Sequence, residues 1–553
     1  MKTNCKWEHP YEYPEAYNKR VAYFSMEFGI DHIFRIYSGG LGYLAGSHMR
    51  SAHDLKQNMV GVGMLWKYGY YEQGRDQNNY MKPLFRERYY TFLEQTDIIV
   101  EVEINGLPVK VQAWYLDPSV FGTVPMYFLT TDIEGKNDYL SRTITHHLYD
   151  RNAAARIAQS IVLGIGGAKV IEAIGGADIY HLNEAHALPL AFHMYEQEPS
   201  VERVKEKVVF TTHTPVKAGN EERDIYLLDR MGFFAGVPLN TVREITHHQN
   251  FDNFGYTPGA MALAKKANGV SQLHAEVSND MWAHLPERPE IIGITNAQNQ
   301  KYWQDAELKT ALDADDNTAL IKRKRELKEE LFEFVASQTG NLLDPDVLTI
   351  VWARRFAGYK RADLIMRNHN YFYKLLSQTK HPIQIIWAGK PYPFDDSAVD
   401  LFNRLVENTH LAKNATIVTG YEMDVSGLLK KGSDIWLNTP RRPKEASGTS
   451  GMTAAMNACV NLSINDGWVP EFSKHGHNAF VIPEADVKQP VDLQDEHDYQ
   501  HLMRILTDEI LPMYYDTPEK WWTVVKNSMR EVVPFFGSDR MADEYYTRLF
   551  NAE

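Results

Sequence analysis

Short apolar runs alternate with helix-length amphipathic segments through the first half of the chain. The runs at residues 21–28, 177–186 and 208–214 are rich in aliphatic and aromatic residues, and polar segments follow them, as is typical of buried strands. Residues 46–58 and 156–176 have the spacing of apolar positions that is typical of helices. This alternation of strands and helices predicts a doubly wound parallel sheet.

The second half of the chain repeats this pattern. Its apolar runs at residues 347–355, 383–390, 415–421 and 434–440 are strand candidates, and a helix-length segment separates each run from the next. The segment 319–340 carries apolar residues on one face and interleaves Glu and Lys over the rest, which predicts a solvated surface helix. The second half is therefore expected to form a parallel sheet of its own.

The length of the chain, 553 residues, exceeds what one hydrophobic core can organise, so we expect two large domains. We place the boundary just before the strand-like run 291–296, which gives an N-terminal domain over residues 1–290 and a C-terminal domain over 291–553. The final amphipathic segment, 518–536, could cross back to the first domain. The predicted fold class is α/β, with two Rossmann-like, doubly wound domains.

The charge of the chain limits the kinds of partner. Lys and Arg number 58 and Asp and Glu number 72, so the net charge is −14. An acidic chain is a poor candidate for binding nucleic acid or an acidic membrane surface, whereas a neutral polymer is a suitable partner. Any phosphate-bearing ligand then needs a local cluster of cations.

The two cysteines, Cys5 and Cys459, lie far apart in the sequence, so neither a disulfide framework nor a zinc-binding spacing is expected. We predict no metal site. The first residues lack the apolar stretch of a signal peptide, and we expect no run of about 18 apolar residues elsewhere. These features predict a cytoplasmic protein that does not enter a membrane.

A glycine-rich loop at residues 37–46 runs into a predicted helix. Gly39, Gly40 and Gly42 let backbone N–H groups approach an anion at the helix N-terminus. The spacing differs from the G-x-G-x-x-G pattern of nicotinamide-binding proteins. The loop is therefore a candidate anion-binding site, although glycines are as common in ordinary turns.

Four cations follow a strand-like run in the second half, and these are Arg354, Arg355, Lys360 and Arg361. At the carboxyl edge of a parallel sheet, such a cluster is suited to a phosphate group. The alternative is a solvated basic turn. Because the chain as a whole is acidic, a concentration of cations at this place favours the phosphate site.

Two further segments carry candidate chemistry. His213 ends a strand-like run and is followed by Thr-Pro, a turn that would project the histidine and its carbonyl into a cleft. Glu445 precedes a Ser-Gly-Thr-Ser-Gly loop at 447–451 that opens a predicted helix, a geometry suited to anions or hydroxyl groups. Taken alone, the histidine is more typical of a buried hydrogen-bonded residue than of a catalytic one, and the loop could be a capped helix start.

Together these segments resemble one family, the α-glucan phosphorylases that act on glycogen, starch or maltodextrin. The resemblance extends from Val21 to Trp468 and rests on VAYFSMEFGID, GVGMLW, HLNEAH, NGVSQLHAEVS, WLNTPRRP and EASGTSGM. It implies the GT-B architecture, in which two Rossmann-like domains face each other across a cleft. It also implies transfer of glucosyl units between the non-reducing end of an α-1,4-glucan and phosphate, with retention at the anomeric carbon.

The resemblance further implies roles for individual residues. The catalytic positions are His213, whose carbonyl faces the anomeric carbon, the phosphate-binding Arg355 and Lys360, and Glu445, which binds sugar hydroxyls. The sugar-binding positions are Asn183, Asn296, Ser447 and Gly448. The anion-binding positions besides the two cations are Gly39, Gly40, Gly42, Thr449, Ser450 and Gly451. Retention without a carboxylate nucleophile suits a cationic transition state between a phosphate anion and a backbone carbonyl.

The sequence departs from the family at the cofactor position. Family members carry pyridoxal phosphate on a lysine eight residues after the glutamate of EASGT, and here that position is Thr453. A hydroxyl cannot form a Schiff base, so we predict no covalently bound cofactor. Pyridoxal phosphate held non-covalently, or the nucleotide diphosphate of a sugar donor, could use the same space. Asn220, Ala297 and Ala458 are further departures from the family pattern.

Three functions remain open from the sequence. The first is a phosphorylase-type glucosyltransferase that acts on an α-1,4-glucan or maltooligosaccharide with phosphate or glucose 1-phosphate. The second is a nucleotide-glucose-dependent glucan synthase on a phosphorylase scaffold, and the third is a catalytically inactive glucan-binding or regulatory protein. Arg355, Lys360 and Glu445 favour the two enzymes, and a glycosidase is the weakest option because no carboxylate pair is evident. A homodimer is one assembly that the chain could form.

Overall fold

The structure, a computed structural model, describes residues 2, 3, 5–249, 252–410 and 412–552. The chain divides into two compact units. The first unit contains Met1–Tyr71, Phe85–Asn299 and Ser538–Glu553, and the second contains Glu72–Leu84 and Gln300–Gly537. Each unit has a large parallel sheet covered by helices, so the predicted α/β class of GT-B type is confirmed.

The strands of the described residues are, in chain order, β1 (Val21–Phe24), β2 (Met59–Met64), β3 (Glu72–Arg75), β4 (Met81–Leu84), β5 (Leu93–Ile104), β6 (Leu107–Leu116), β7 (Met126–Thr130), β8 (Ile179–Asn183), β9 (Val208–Thr211), β10 (Glu222–Asp224), β11 (Asn253–Gly255), β12 (Lys266–Gly269), β13 (Ile291–Gly293), β14 (Leu348–Ala353), β15 (Ile383–Ala388), β16 (Ala415–Val418), β17 (Ile435–Asn438), β18 (Val460–Ile464) and β19 (Phe480–Ile482).

The α-helices are, in the same order, α1 (Gly40–Asp54), α2 (Pro118–Phe121), α3 (Tyr139–Thr143), α4 (Ala153–Ile161), α5 (Gly167–Ala173), α6 (Pro189–Gln197), α7 (Val201–Lys207), α8 (Ile225–Met231), α9 (Leu239–Ile245), α10 (Tyr256–Leu263), α11 (Gln272–Met281), α12 (Gln300–Trp303), α13 (Ala306–Asp313), α14 (Asn317–Thr339), α15 (His369–Ser377), α16 (Asp396–Thr409), α17 (Met423–Lys431), α18 (Ser450–Ala455), α19 (Val469–Phe472), α20 (Val491–Arg504), α21 (Leu511–Asp516), α22 (Pro518–Phe536) and α23 (Ser538–Tyr545).

The first unit is built, within the described residues, on a nine-stranded sheet in the order β13-β12-β9-β8-β1-β2-β7-β6-β5. The strands from β13 to β7 are parallel, and β6 and β5 extend the sheet as antiparallel partners. β1, β2, β8 and β9 are buried along their whole length, as expected for parallel strands covered on both faces. Their carboxyl ends lie at one edge of the sheet, and candidate residues follow these ends.

The second unit contains a sheet of six described strands, all parallel, in the order β16-β15-β14-β17-β18-β19. The four predicted apolar runs of the second half form β14 to β17 at the centre and one edge of this sheet. Trp352, Trp387 and Trp436 lie on these strands and are fully buried. Their large side chains anchor the helices to both faces of the sheet.

The long helix α14, Asn317–Thr339, packs against the second sheet more closely than the sequence predicts. Leu331 on its apolar face is part of the core. Lys324 and Lys328 are buried as well, and the ammonium group of Lys328 lies 2.6 Å from the carboxylate of Asp434. The prediction of a solvated helix is wrong for this part of α14, because buried acceptors compensate the charges of the lysines.

The first unit extends past the predicted boundary between residues 290 and 291. Ile291–Gly293 forms β13 and pairs in parallel with β12 at the edge of the first sheet. The first unit therefore continues to Asn299 before the chain enters the second. The run 291–296 has the strand character that the sequence indicates, but it belongs to the preceding sheet because its backbone completes that edge.

The final segment of the chain also differs from the prediction. The amphipathic segment 518–536 forms α22, which belongs to the second unit, and it is Ser538–Glu553 that belongs to the first. Ser538 and Ser51 form a hydrogen bond between their hydroxyl groups at 2.6 Å, and Nε2 of Gln57 donates to the carbonyl of Ala542. These contacts dock α23 on α1.

One helical stretch, Ala153–Ala173, is long and apolar enough to cross a membrane by length and composition. No such run was expected from the sequence. In the fold, 78% of its most apolar window is buried inside the protein. The core helix of a folded domain has the same composition, and burial against the first sheet accounts for it.

Candidate active site

Loops of the first unit carry candidate residues at the carboxyl edge of the first sheet. Glu27 follows β1, Asn183 ends β8 with Glu184 directly after it, and His213 follows β9. Because β1, β8 and β9 are parallel neighbours, these residues lie at the same edge. Ligands of open α/β sheets bind at this edge.

His213 is held in one orientation by two neighbours. Its Nε2 donates a hydrogen bond to Oδ1 of Asn183 at 2.7 Å, and its backbone N–H donates to Oε1 of Glu184 at 2.5 Å. Asn183 is oriented in turn because its Nδ2 donates to Oγ of Ser25. Burial lowers the pKa of the His213 imidazole to about 3, so the ring is neutral at physiological pH. The imidazole therefore fixes its loop and does not act as a cation.

Glu184 is a residue that the sequence analysis did not single out. Its backbone has φ 66° and ψ 167°, a region that residues other than glycine adopt only at a cost of about 1–3 kcal/mol. Its Oε1 accepts hydrogen bonds from the His213 N–H and from Oγ1 of Thr214 at 3.0 Å. Burial raises the pKa of the carboxyl group to about 7. The signal was present in HLNEAH, where an acid directly follows Asn183.

Asn296 lies in the loop after β13 and is buried. Its backbone N–H donates to the carbonyl of Val270 at 3.0 Å, but its Oδ1 accepts no hydrogen bond from the described residues. A buried polar atom without a partner costs about 1–3 kcal/mol, unless a ligand or water satisfies it. This acceptor is consistent with the predicted contact to a sugar hydroxyl.

The glycine loop binds an anion that belongs to the protein itself. The backbone N–H groups of Ser38 and Gly39 donate to Oε2 of Glu27 at 2.6 and 3.1 Å, and Tyr149 donates its hydroxyl to Oε1. A Cβ atom at Gly42 would lie 2.7 Å from this carboxylate, so the position requires glycine. An external anion at the N–H of Gly39 would have to displace Glu27, whereas the surroundings of Gly40 are open.

Two of the four predicted phosphate-site cations serve the second unit internally. The guanidinium of Arg354 is buried and donates to Oδ1 of Asn438, which joins β14 to β17. Arg361 is also buried and pairs with Asp495 and Asp498, both at 2.7 Å. These contacts give Arg354 and Arg361 a structural role, and Arg355 and Lys360 stay the predicted ligand-binding cations.

Lys360 and Glu445 form an ion pair in the second unit. Nζ of Lys360 lies 2.5 Å from Oε2 of Glu445, and the side chains are 12% and 9% exposed. Lys360 follows β14 and Glu445 follows β17, which are parallel neighbours in the sheet. Arg355 lies at the start of the same loop as Lys360 and is exposed. The fold therefore brings together the predicted phosphate-binding cation and the predicted sugar-binding acid.

The loop that carries Glu445 is fixed by a second acid, Asp466. The backbone N–H of Glu445 donates to Oδ2 of Asp466 at 2.9 Å. Burial raises the pKa of Asp466 to about 7, although the Glu445 N–H opposes this shift and the Glu445 charge adds to it. The motif INDGW holds Asp466 after β18, and no local pattern relates it to Glu445, because their contact depends on the pairing of β17 with β18.

Ser447 and Gly448 turn the chain between Glu445 and α18. Gly448 has φ 89°, a conformation that favours glycine. The carbonyl of Ser447 accepts the N–H of Trp468 at 3.0 Å, while its hydroxyl is buried and has no hydrogen-bond partner among the described residues. Like the Asn296 amide oxygen, this hydroxyl is available to a sugar.

The predicted anion-binding residues Thr449, Ser450 and Gly451 lie at the beginning of α18, a helix of six residues. Nε1 of Trp436 donates to Oγ of Ser450 at 3.2 Å. A Cβ atom at Gly451 would lie 2.4 Å from Oδ1 of Asn461, so this glycine permits close packing against β18. These contacts explain why a serine and a glycine are suited to positions 450 and 451. Anion binding at this helix stays a prediction.

The surroundings of Thr453 do not fit a cofactor attached at this position. Thr453 is fully buried, and its Oγ1 donates to the carbonyl of Ser450 at 3.0 Å. Nδ2 of Asn457 donates to the carbonyls of Thr453 and Trp303 at 2.7 and 2.9 Å. Protein groups thus pack closely around a hydroxyl that cannot take the place of the family's amine.

A lysine from another helix lies near this position. Nζ of Lys430, on α17, is 4.0 Å from the centroid of the Trp303 ring. Asn457 donates to the backbone carbonyls of both Trp303 and Thr453, so the three residues are linked. Burial, assisted by the charge of Arg354, lowers the pKa of Lys430 to about 7. This lysine is not evident from the sequence, since nothing in the motif of α17 relates it to Thr453.

No group of three or more His, Cys, Asp or Glu side chains in the described part of the chain is arranged to hold a metal ion.

Comparison with known proteins relates the chain to enzymes of one family. The family model described as carbohydrate phosphorylase matches residues 242–508. The chain is 32% identical to the maltodextrin phosphorylase of Thermococcus litoralis over 99% of its own length and 71% of the relative. It is 30% identical to the glycogen phosphorylase of Mycobacterium tuberculosis over 95% of its length and 70% of that protein. An uncharacterized protein of Methanocaldococcus jannaschii is 47% identical over 96% of the chain and its own entire length.

Proposed function

Because the chain belongs to the carbohydrate phosphorylase family, and is in general terms a glycosyltransferase, we propose a specific reaction for it. The protein transfers glucosyl units at the non-reducing end of an α-1,4-glucan, with retention at the anomeric carbon. The observation that carries this proposal is the ion pair of Lys360 and Glu445. Such a pair contributes little to stability compared with apolar packing, so its presence at the ligand-binding edge of the sheet favours a role in catalysis.

In this reaction Lys360 and Arg355 bind the phosphate group of the donor or leaving group. An ammonium group has three N–H donors, so Lys360 can hold a phosphate oxygen while it remains paired with Glu445. The exposed guanidinium of Arg355 can bind the other phosphate oxygens. Two of its N–H groups can donate to two of these oxygens at the same time. Glu445 keeps a carboxylate oxygen for the hydroxyl groups of the glucose.

We assign the terminal glucose to buried polar groups that have no hydrogen-bond partner among the described residues. These are the hydroxyl of Ser447 and the amide oxygen of Asn296, the residues that the family resemblance assigns to the sugar. The carbonyl of His213 is assigned to the anomeric carbon, where positive charge develops in the transition state. Asn183 and Glu184 support this assignment because they hold the His213 loop in one conformation.

For the donor we propose glucose 1-phosphate, with phosphate as the co-substrate of the reverse reaction and no covalently attached cofactor. The named relatives that match most of the chain are phosphorylases, which supports this choice. A nucleotide-glucose donor is the second candidate. The observation that favours it is Thr453, since the chain lacks the amine that would attach the family's cofactor.

A donor assay separates these possibilities. Maltooligosaccharide is incubated with glucose 1-phosphate, with and without added pyridoxal phosphate, and separately with UDP-, ADP- and GDP-glucose. Elongation from glucose 1-phosphate is the expected result, and dependence on added pyridoxal phosphate would indicate a non-covalent cofactor. Elongation from a nucleotide sugar alone would make the protein a synthase. Failure with every donor, together with measurable glucan binding, would leave a non-catalytic glucan-binding protein.

A further inference from the structure

A cavity of about 600 Å³ lies in the first unit, outside the residues assigned so far. It lies beyond the carboxyl ends of β2 and β7, which are parallel neighbours in the first sheet. Lys67 and Tyr68 follow β2, and Asp132 follows β7. The volume lies within the range of about 300–1,000 Å³ that is usual for small-molecule sites. We call this cavity the Asp132 pocket.

The polar side of the Asp132 pocket is a closed network of charges. The carboxylate of Asp132 accepts hydrogen bonds from Nζ of Lys67 at 2.8 Å and from Nε of Arg142 at 2.7 Å. Lys67 also pairs with Glu87 at 3.0 Å. Burial would raise the pKa of Asp132, but the hydrogen bonds from Lys67 and Arg142 outweigh it and lower the pKa. Lys67 and Arg142 are therefore both paired with carboxylates, of which Asp132 lines the pocket and Glu87 lies outside its lining.

The two histidines of the pocket add no charge at physiological pH. Burial lowers the pKa of both His146 and His147, and Asp132 only partly opposes this for His146. Nε2 of His146 lies 3.8 Å from Oδ2 of Asp132, beyond hydrogen-bond distance. Nε2 of His146 and Nδ1 of His147 have no hydrogen-bond partner among the described residues. The pocket thus combines charges that are already paired with one another and two ring nitrogens that are open to the hydroxyl groups of a ligand.

Aromatic rings form the other side of the pocket. The ring of Tyr68 stacks on His147 with centroids 4.9 Å apart, and Phe85 meets the same imidazole edge-on at 4.9 Å. Phe85 is 40% exposed and Tyr139, on α3, is 76% exposed. Rings held this way offer flat apolar faces beside fixed polar groups. Pyranose rings need this combination, because their C–H faces stack on aromatics while their hydroxyl groups take hydrogen bonds.

We propose that the Asp132 pocket is a glucan-binding subsite, which holds sugar rings of the acceptor chain away from the reacting end. This inference rests on the proposed function. The pocket and His213 lie at the same edge of one sheet, where β2, β1, β8 and β9 are consecutive neighbours. Three strand spacings separate β2 from β9, roughly 14 Å at about 4.8 Å per strand. An oligosaccharide of several rings spans such a distance, whereas a single glucose does not.

The test compares the binding of maltotriose and maltoheptaose to the full chain by isothermal titration calorimetry. The variants are Tyr139→Ala and Phe85→Ala, which remove rings of the pocket. Leu140→Ala is the matched control, since Leu140 is 75% exposed on the same helix but does not line the pocket. We expect each ring variant to weaken maltoheptaose binding about 3- to 10-fold, a typical effect of one aromatic contact. Maltotriose binding and the KM for the donor should change little.

The outcomes separate this proposal from the proposed function. If the wild type binds and elongates maltoheptaose but both ring variants behave like Leu140→Ala, the pocket is no glucan subsite while the transferase assignment stands. If the wild type binds no maltooligosaccharide, the proposed function fails and the subsite with it. Binding of inorganic phosphate that is lost in Arg142→Gln would overturn the proposal in favour of an anion site. Thermal melting of each variant confirms that these exposed positions leave the fold intact.

Discussion

The ammonium group of Lys360 lies 2.5 Å from the carboxylate of Glu445, although 85 positions separate the two residues in the chain. Their strands, β14 and β17, are adjacent in the sheet, and the loops after both strands leave at the same edge. Both side chains are about nine-tenths buried, so neither charge is fully hydrated. Each residue therefore depends on the other for compensation of its charge.

This dependence predicts strong coupling between substitutions of the pair. Lys360→Met or Glu445→Gln alone should lower the free energy of unfolding by about 3 kcal/mol, because each leaves a partly buried group without its partner. The double variant should lose clearly less than the sum of the single variants, since no uncompensated charge remains. Urea titration measures these values. Turnover should stay low in all three variants, and additive losses of stability would show that the pair is not coupled.

Arg355→Ala tests whether the exposed cation binds the donor. Loss of a charge-assisted hydrogen bond should reduce kcat/KM for the active donor about 10- to 150-fold, on the order of 1.5–3 kcal/mol. Lys444→Ala is the control, because Lys444 is an exposed lysine directly before Glu445. We expect it to keep nearly wild-type activity. Wild-type turnover of Arg355→Ala with every active donor would make Arg355 structural and remove it from the site.

The central strands of both units could be predicted from local pattern alone. Runs such as IQIIWAGK are continuous and apolar because parallel strands are covered on both faces, and this run forms β15. The antiparallel hairpin of β5 and β6 gave no comparable signal, since its strands mix exposed and buried residues. The assignment of β13 and of residues 72–84 to their units depends on distant pairing, which no local pattern contains.

In the candidate site too, sequence motifs identify single residues, whereas the contacts between these residues depend on the order of the strands. Motifs identified Lys360 and Glu445 separately, but their contact arises from the order of strands in the sheet. The glycine loop was recognised as an anion site, yet its anion is the Glu27 carboxylate, which approaches from the loop after β1. Arg354 and Arg361 looked equivalent to Arg355 in sequence, and only the fold shows that the first two are buried whereas Arg355 is exposed.

The cofactor prediction can be tested on the purified protein. We expect no covalently bound pyridoxal phosphate, because Thr453 has no amine and its hydroxyl is already hydrogen-bonded within α18. The protein is reduced with borohydride after incubation with pyridoxal phosphate, and its intact mass is compared with that of an unreduced sample. No specific mass increase is expected. An increase that maps to Lys430, and that disappears in Lys430→Met, would contradict the prediction.

Lys430 gives the folded protein a defined pH dependence of stability. Burial lowers its pKa to about 7 in the fold from an ordinary value of 10.5. Between these pH values the unfolded chain binds the extra proton, so the free energy of unfolding should rise with pH across this window. Lys430→Met should therefore stabilise the protein relative to the wild type at pH 6–7, by about 5 kcal/mol at most, and the difference should shrink toward pH 10. Urea titration at several pH values measures it, with Lys431→Met as the control on the same helix. A difference that is independent of pH would mean that Lys430 stays protonated in the fold and that its contact with Trp303 holds a charged amine.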